Sequence, residues 1–158
     1  MFYGQKALGN DWEPVEFQDA VGSQITAGPV RWPIALAFDH LRSGEDSSQD
    51  GERFKGRTEE WAVGIRKVWE SGTRRTFVGG GADFLVAKLT LPETGSSDSD
   101  SSFGPWLGGG VFWRVGNYFS LGFFGRYSYG SVTVFDESRQ AGGPQAGFLI
   151  DWGWPGPP

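Results

Sequence analysis

The chain has 158 residues, no cysteine and a formal net charge of −5, which removes disulfide frameworks, thiol nucleophiles and zinc–thiolate sites and argues against nucleic acid, whose binding needs a basic stripe. A mean hydropathy of −0.36 and the lack of any run of about 20 apolar residues exclude a helical membrane protein, yet a membrane β-barrel stays open, because only every second residue of its wall meets lipid. The 26 Gly, 8 Trp and 13 Phe suit one domain of tightly paired strands flanked by aromatic rings.

The start, Met1-Phe2-Tyr3-Gly4, has neither the basic segment nor the apolar run of a secretory signal; an exported barrel needs one, so the chain is expected to be the mature portion. A first short strand is predicted over 2–8, followed by a loop through Gly9, Asn10 and Asp11. The second covers 17–27 and turns at Gly28-Pro29. The third, 31–41, carries Trp32, Ile34, Leu36 and Phe38 on one face and Ala35, Ala37 and Asp39 on the other. Residues 43–56, rich in Asp, Glu, Ser and Gly without apolar periodicity, read as a solvated loop.

The fourth strand, 58–69, sets Trp61, Val63, Ile65 and Trp69 outward and Glu60, Ala62, Gly64 and Arg66 inward, then turns at Ser71-Gly72-Thr73. The fifth, 76–91, places Val78, Ala82, Phe84 and Val86 opposite Asp83 and runs into a polar loop over 94–102. The sixth, 105–115, alternates Leu107, Val111 and Trp113 with Gly108, Gly110 and Arg114 before the tight turn Gly116-Asn117. In the seventh, Phe119, Leu121, Phe123 and Tyr127 oppose Ser120, Gly122, Arg126 and Ser128. After a loop through Asp136, Glu137 and Gly142-Gly143, the last strand, 145–154, sets Ala146, Phe148, Ile150, Trp152 and Trp154 against Gln145, Gly147, Asp151 and Gly153, with Leu149 breaking the pattern. Residues 155–158, Pro-Gly-Pro-Pro, cannot pair as a strand and read as a tail beyond a single domain of 1–154.

Connections carry the organisational argument. Short turns at Gly28, Gly72 and Gly116 alternate with longer loops near Asn10, Ser48, Asp98 and Glu137, so the short turns gather at one end with both termini. Together with about eight strands, that is the asymmetry of an exported barrel, and the expected fold is an all-β, eight-stranded antiparallel up-and-down transmembrane β-barrel.

The chain resembles the small eight-stranded outer-membrane β-barrels of Gram-negative bacteria, in the broad sense of OmpA, OmpX and OmpW, over nearly its whole length. The most specific part of the resemblance is Gln145-x-Gly147-x-x-Ile150-x-Trp152, similar to the C-terminal assembly signal of that class, here followed by a tail. What the resemblance implies is a bacterial outer-membrane location, contact with outer-membrane lipid and lipopolysaccharide, and recognition by the barrel-assembly machinery.

Aromatic residues near the strand ends give a membrane-interface girdle of Trp32, Trp61, Trp69, Phe77, Trp113, Phe119, Tyr127 and Trp152. If the apolar face meets lipid, Asp39, Glu60, Arg66, Asp83, Arg114, Arg126 and Asp151 enter the lumen, where they must neutralise one another. About eight strands leave room for little besides side chains, so a lumen filled by a polar and charged network is expected, with a structural or surface role and no enzymatic one. The alternatives are a narrow pore for small solutes, an outer-leaflet lipid-modifying enzyme and a soluble ligand-binding barrel.

His40, the sole histidine, has Ser43 three residues on, but the spacing departs from the His-x-Ser pattern of lipid deacylases and no third group completes a set, so no catalytic residue is assigned. The acidic loops, Asp98 and Asp100 with Glu93, and Glu45 and Asp46 with Asp50 and Glu52, follow no EF-hand spacing, and no metal site or cofactor is assigned. The Gly79–Gly81 and Gly108–Gly110 runs sit within strands rather than before a helix, which rules against phosphate loops.

Overall fold

A computed structural model describes residues 1–9, 12–13, 15–28, 34–49, 52–116 and 118–152, with the side chains of Gln49 and Glu52 also left aside. Among the described residues ten strands form: β1 Phe2–Ala7, β2 Phe17–Ala27, β3 Ala35–Gln49, β4 Glu52–Ser71, β5 Arg74–Leu91, β6 Ser96–Arg114, β7 Phe119–Ser128, β8 Ser131–Val134, β9 Glu137–Gln140 and β10 Pro144–Trp152. Eight close into a barrel in the order β1-β10-β7-β6-β5-β4-β3-β2, every pair antiparallel, while β8 and β9 make a separate hairpin.

The barrel is lopsided. Its β1, β10 and β7 have 6, 9 and 10 residues, whereas β3, β4, β5 and β6 have 15, 20, 18 and 19. At about 3.3 Å per residue and a tilt of about 40°, β4 rises about 50 Å, roughly twice the height of an apolar belt. Pairing of β2 with β3 stops at Asp19↔Gly44, and that of β7 with β6 at Ser128↔Trp106. Beyond those rungs β3–β4–β5–β6 continue as a four-stranded sheet above the long-hairpin end of the barrel.

This extension corrects two sequence expectations. The polar stretch 43–56 is a loop only at its tip: β3 and β4 pair from Ala35↔Arg66 up to Gln49↔Glu52. The polar segment 94–102 is mostly the start of β6, paired to β5 up to Leu91↔Ser96. Apolar alternation marks a strand only where one face is buried, and a hairpin standing clear of the barrel needs no greasy face to complete its hydrogen-bond ladder. The expected loop before the last strand likewise holds the β8–β9 hairpin, turned by Phe135 and Asp136 at φ 51° and 62°, the left-handed pair of a type I′ turn. The tail 155–158 and Trp154 lie outside the described residues.

Inside the wall, large and small side chains interlock. A Cβ on Gly110 would lie 2.6 Å from the Phe77 ring, one on Gly22 2.5 Å from that of Phe2, and one on Gly79 3.3 Å from Trp106. These three inward glycines are thus sockets for aromatic knobs, the taper-fitting arrangement of a small barrel.

Candidate functional site

Alternation along each strand decides what enters the lumen. The inward positions of β1 are Phe2, Gly4 and Lys6; of β3, Ala37, Asp39, Leu41 and Ser43; and of β4, Arg66, Ala62, Glu60 and Thr58. The lumen is built in layers. Nearest the short-turn end, Phe2, Leu41, Phe77, Phe124 and Leu149 form a buried apolar cluster, with Val68 and Phe112 packed against it. At the long-hairpin end a second cluster gathers Leu8, Trp12, Val15, Ala87, Leu89, Val132, Val134 and Ala141. Trp12 is fully buried, and its indole N–H donates to the Gln140 carbonyl at 2.9 Å.

Between the two apolar layers lies an ionic one. Arg126, on β7, donates to Asp39 (3.2 Å), Glu60 (3.3 Å) and Asp83 (2.5 Å). In the barrel order β7 and β3 lie four strands apart in a ring of eight, so the Arg126–Asp39 contact spans the lumen from wall to wall. Arg66 donates twice to Asp39, at 2.9 Å each, and once to Thr26 at 2.7 Å. Lys6 Nζ donates to Glu60 (2.6 Å), Thr58 (3.0 Å) and the Ala141 carbonyl (2.7 Å). Glu60 also accepts from Gln145 (2.8 Å) and Ser128 (3.2 Å), and Ser43 ties Thr58 to Gln18.

The cluster balances: Lys6, Arg66 and Arg126 face Asp39, Glu60 and Asp83, three cations against three carboxylates, all buried. The two guanidinium planes also lie over rings, Arg126 4.6 Å from the Trp106 centroid and Arg66 5.0 Å from that of Phe77. Desolvated charges are tolerable only when paired and hydrogen-bonded, and here nearly every oxygen has a donor. The exceptions among the described residues are Asp83 Oδ1 and Gln145 Oε1, alongside the Nε atoms of Arg66 and Arg126.

Of the expected lumen residues, the structure brings together Asp39, Glu60, Arg66, Asp83 and Arg126. Arg114 and Asp151 do not join them. Both pair in register with Ser120 at the short-turn rim, where Arg114 is exposed and Asp151 half-buried, and neither makes an ion pair among the described residues. Inward parity is not enough at a barrel mouth, where an inward position already faces water. Sequence reasoning missed Lys6, Gln18, Ser43 and Thr58, and placed Ser128 on the inward face without joining it to Glu60. The signal for Lys6 was available, since Tyr3 outward obliges Phe2, Gly4 and Lys6 to point in.

Of the expected girdle, Trp61, Trp69, Trp113, Tyr127 and Trp152 lie on the outer wall, and Phe119 is half-buried there. Trp32 lies outside the described residues. Phe77 is a correction: it is only 6% exposed and sits in the lower lumen cluster, because its neighbour Val78 takes the outward position and period two sends Phe77 in. Of the proposed assembly motif, Gln145 is inward and bound to Glu60, Gly147 packs against the β1 backbone, and Ile150 and Trp152 face out. His40 stacks on Trp61 (3.9 Å between centroids) and meets Glu59 at 2.9 Å on the outer wall, whereas Ser43 is buried inside, so the two cannot act on one substrate.

With this geometry in view, the fold is that of the small eight-stranded outer-membrane β-barrels. It superposes on the crystal structure of Neisserial surface protein A with a TM-score of 0.60 and 19% identity, over 96% of this chain and 92% of that one. It superposes on Ail, the attachment invasion locus protein of Yersinia pestis, with a TM-score of 0.52 and 15% identity, over 93% of each chain. No protein-family model and no curated protein matches the sequence.

Proposed function

We propose that this chain is an integral protein of a bacterial outer membrane, with a sealed, non-conducting lumen and a structural or surface role. The observation that carries the reading is the inverted distribution of side chains. Large apolar residues are exposed all round the wall, among them Val21, Leu36, Val63, Leu107, Phe123 and Phe148, while six ionisable side chains are buried inside. In water that arrangement would leave a hydrophobic band far beyond the few hundred Å² an ordinary soluble monomer exposes; in lipid it is the expected wall. Trp61 and Trp69, eight residues apart on β4, are about 26 Å apart along the strand and about 20 Å apart in height, close to the thickness such a belt must match. They would sit at the two headgroup levels, with Trp113 and Trp152 sharing the lower one.

The conduit reading is disfavoured by the two apolar layers and by Arg126, which bridges the walls between them. The lipid-modifying reading is disfavoured by the opposite orientation of His40 and Ser43. Both solved neighbours are a surface or attachment protein by name, which agrees with a role for the sheet that β3–β6 raise above the barrel. Gln145, Gly147, Ile150 and Trp152 would then serve the assembly machinery during insertion.

Two measurements test the reading. Refolded in detergent, the chain should migrate differently on a gel before and after boiling, as a closed barrel does; identical mobility refutes it. In planar bilayers it should produce no stepwise conductance, and regular single-channel steps would return the conduit to favour.

A further inference from the structure

We propose that two copies of this chain pair in the membrane across the seam between β2 and β3, about a twofold axis parallel to the barrel axis, with Asp19 of each copy bound to Arg42 of the other; the pairing rests on the membrane orientation proposed above. Strand stagger sets the geometry. The outward rungs, followed once round the ring from Trp69 through Val111, Phe148 and Val21, return to β4 at Glu59, ten residues above Trp69. Each strand crossed in that direction therefore lifts the wall by about 3 Å. Given the rungs Val21↔Arg42 and Asp19↔Gly44, Asp19 and Arg42 lie within about 2 Å of one height and about 8 Å apart across the seam, with Val21 below and Gly44 above on the line midway between them. A twofold axis on that line sets Asp19 of one copy against Arg42 of the other at two places. Val21 then faces Val21, and Gly44 faces Gly44, where the missing side chain lets the two walls approach.

The charges at the seam are available. Asp19, Val21 and Arg42 are exposed and Gly44 is half-buried. Asp46 pairs with Lys55 at 2.8 Å, and Glu59 is shared by His40 (2.9 Å) and Arg42 (3.2 Å), whereas Asp19 makes no ion pair among the described residues. Arg57, the nearest cation in the row of Asp19, stands beyond Gly44, two strand spacings or about 10 Å away, and no ion pair joins them. Arg42 is 65% exposed and meets Glu59 through one nitrogen, with the rest of its donor fork left for a second carboxylate.

The lipid-facing wall is also broken at this seam. Ser23 and His40 share a run of rungs with Trp61 on the descending side and so lie about 6 Å and 3 Å below it; Gln5, outward on β1, stands beside Asp19. Between the two tryptophan levels the outward positions of β6, β7 and β10 are apolar or glycine apart from Tyr127. Polar side chains on a membrane face mark a place where protein rather than lipid covers the wall. An acid and a base at one height, exchanged by a twofold axis, form a self-complementary patch, which selects a second copy as the occupant; an anionic headgroup would meet Asp19 as well as Arg42. Facing walls cross at about twice the strand tilt, about 80°, so contact is local and these two charge pairs decide it.

The test uses the full chain refolded in octyl glucoside micelles, its heat-sensitive mobility checked first, and native mass spectrometry of unlabelled chain mixed with heavy-isotope-labelled chain. Wild type should give mixed-mass dimers. Asp19→Arg alone and Arg42→Asp alone should each self-associate at least about tenfold more weakly, because both contacts become repulsive, and keep the heat shift. Asp19→Arg mixed with Arg42→Asp should pair to within about threefold of wild type, a rescue that no contact inside one chain can produce. A monomeric wild type overturns the dimer. Single variants that associate as wild type does, or a mixture that stays unpaired, overturn the Asp19–Arg42 seam. A wild-type chain without a heat shift instead overturns the membrane orientation, and the pairing with it.

Discussion

Replacing Arg126 by Met tests whether the lumen is held by charge balance. Methionine keeps an unbranched stem over Trp106 but removes the guanidinium that contacts Asp39, Glu60 and Asp83. The three carboxylates are not equally exposed to the loss. Asp39 retains two hydrogen bonds from Arg66, and Glu60 retains Lys6, Gln145 and Ser128. Asp83 is left with no cationic partner among the described residues. Removing one partner of a buried pair costs about 3–5 kcal/mol, mostly the penalty of the stranded ion. Arg126→Met should therefore lower unfolding stability by about that much, and Arg126→Met/Asp83→Asn, which leaves two cations with two carboxylates, should recover at least about 2 kcal/mol of it. The assay is urea unfolding of chain refolded in lipid vesicles, followed by tryptophan fluorescence. A single variant within about 1 kcal/mol of wild type, or a double variant no more stable than the single, would refute the idea that Asp83 depends on Arg126.

Three further outcomes are expected. Gly110→Ala puts a methyl 2.5 Å from the Phe123 carbonyl oxygen and 2.6 Å from the Phe77 ring and should cost about 1–3 kcal/mol by overpacking, of which Phe77→Leu in the same chain restores only the share owed to the ring in the same unfolding assay. Trp12→Ala, which empties a fully buried site in the upper cluster, should cost about 3–5 kcal/mol yet give no bilayer conductance, because the Phe2, Phe77 and Phe124 layer still closes the other end. The β8–β9 hairpin should loosen in acid. The backbone N–H groups of Thr133 and then Ser101 hold the Asp100 carboxyl below its ordinary value of 3.8; a depressed folded value means that its contribution is present in full above the unfolded value and fades as pH falls below it. Amide exchange at Thr133 should accelerate as pH drops below about 4 relative to the intrinsic rate, and Asp100→Asn should show raised exchange already at neutral pH; unchanged protection in that variant would dissociate the clip from Asp100.

Parts of the molecule were legible because burial there is one-sided. Along β2 and β7 every second residue meets the interior, and the sequence bounds of β2 coincide with the observed Phe17–Ala27. Above the barrel that condition lapses. Residues Ser96 to Asp100 pair with β5 through their backbones, but hydrogen bonding leaves no mark on hydropathy, so a strand of serines and aspartates is indistinguishable from a loop. Phe77 differs for another reason: it lies close to a turn, where a girdle residue is expected, but the parity that outward Val78 fixes sends it inward.

The ionic layer was legible as a location but not as a wiring. Parity alone sends Asp39, Glu60, Asp83 and Arg126 inward, because each adjoins an outward aromatic residue, Phe38, Trp61, Phe84 and Tyr127 respectively. Which charge meets which depends on strand stagger around a closed ring, and that places Arg126 against a carboxylate 87 residues away on the opposite wall. The upper plug is more remote still from sequence logic, since Trp12, Val132 and Val134 lie in segments without a membrane-facing period and become apolar core only when the β8–β9 hairpin folds over the mouth. Charge balance then supplies the reason a lysine stands at position 6. Without it Arg66 and Arg126 would face three carboxylates, and a desolvated lumen of net charge −1 would carry the same penalty expected of the Arg126 variant. Lys6→Met should therefore destabilise the barrel to a similar degree, and Lys6→Met/Glu60→Gln should recover stability as the Arg126 and Asp83 pair does. A chain indifferent to Lys6 would mean that the ions are neutralised individually rather than as one balanced cluster.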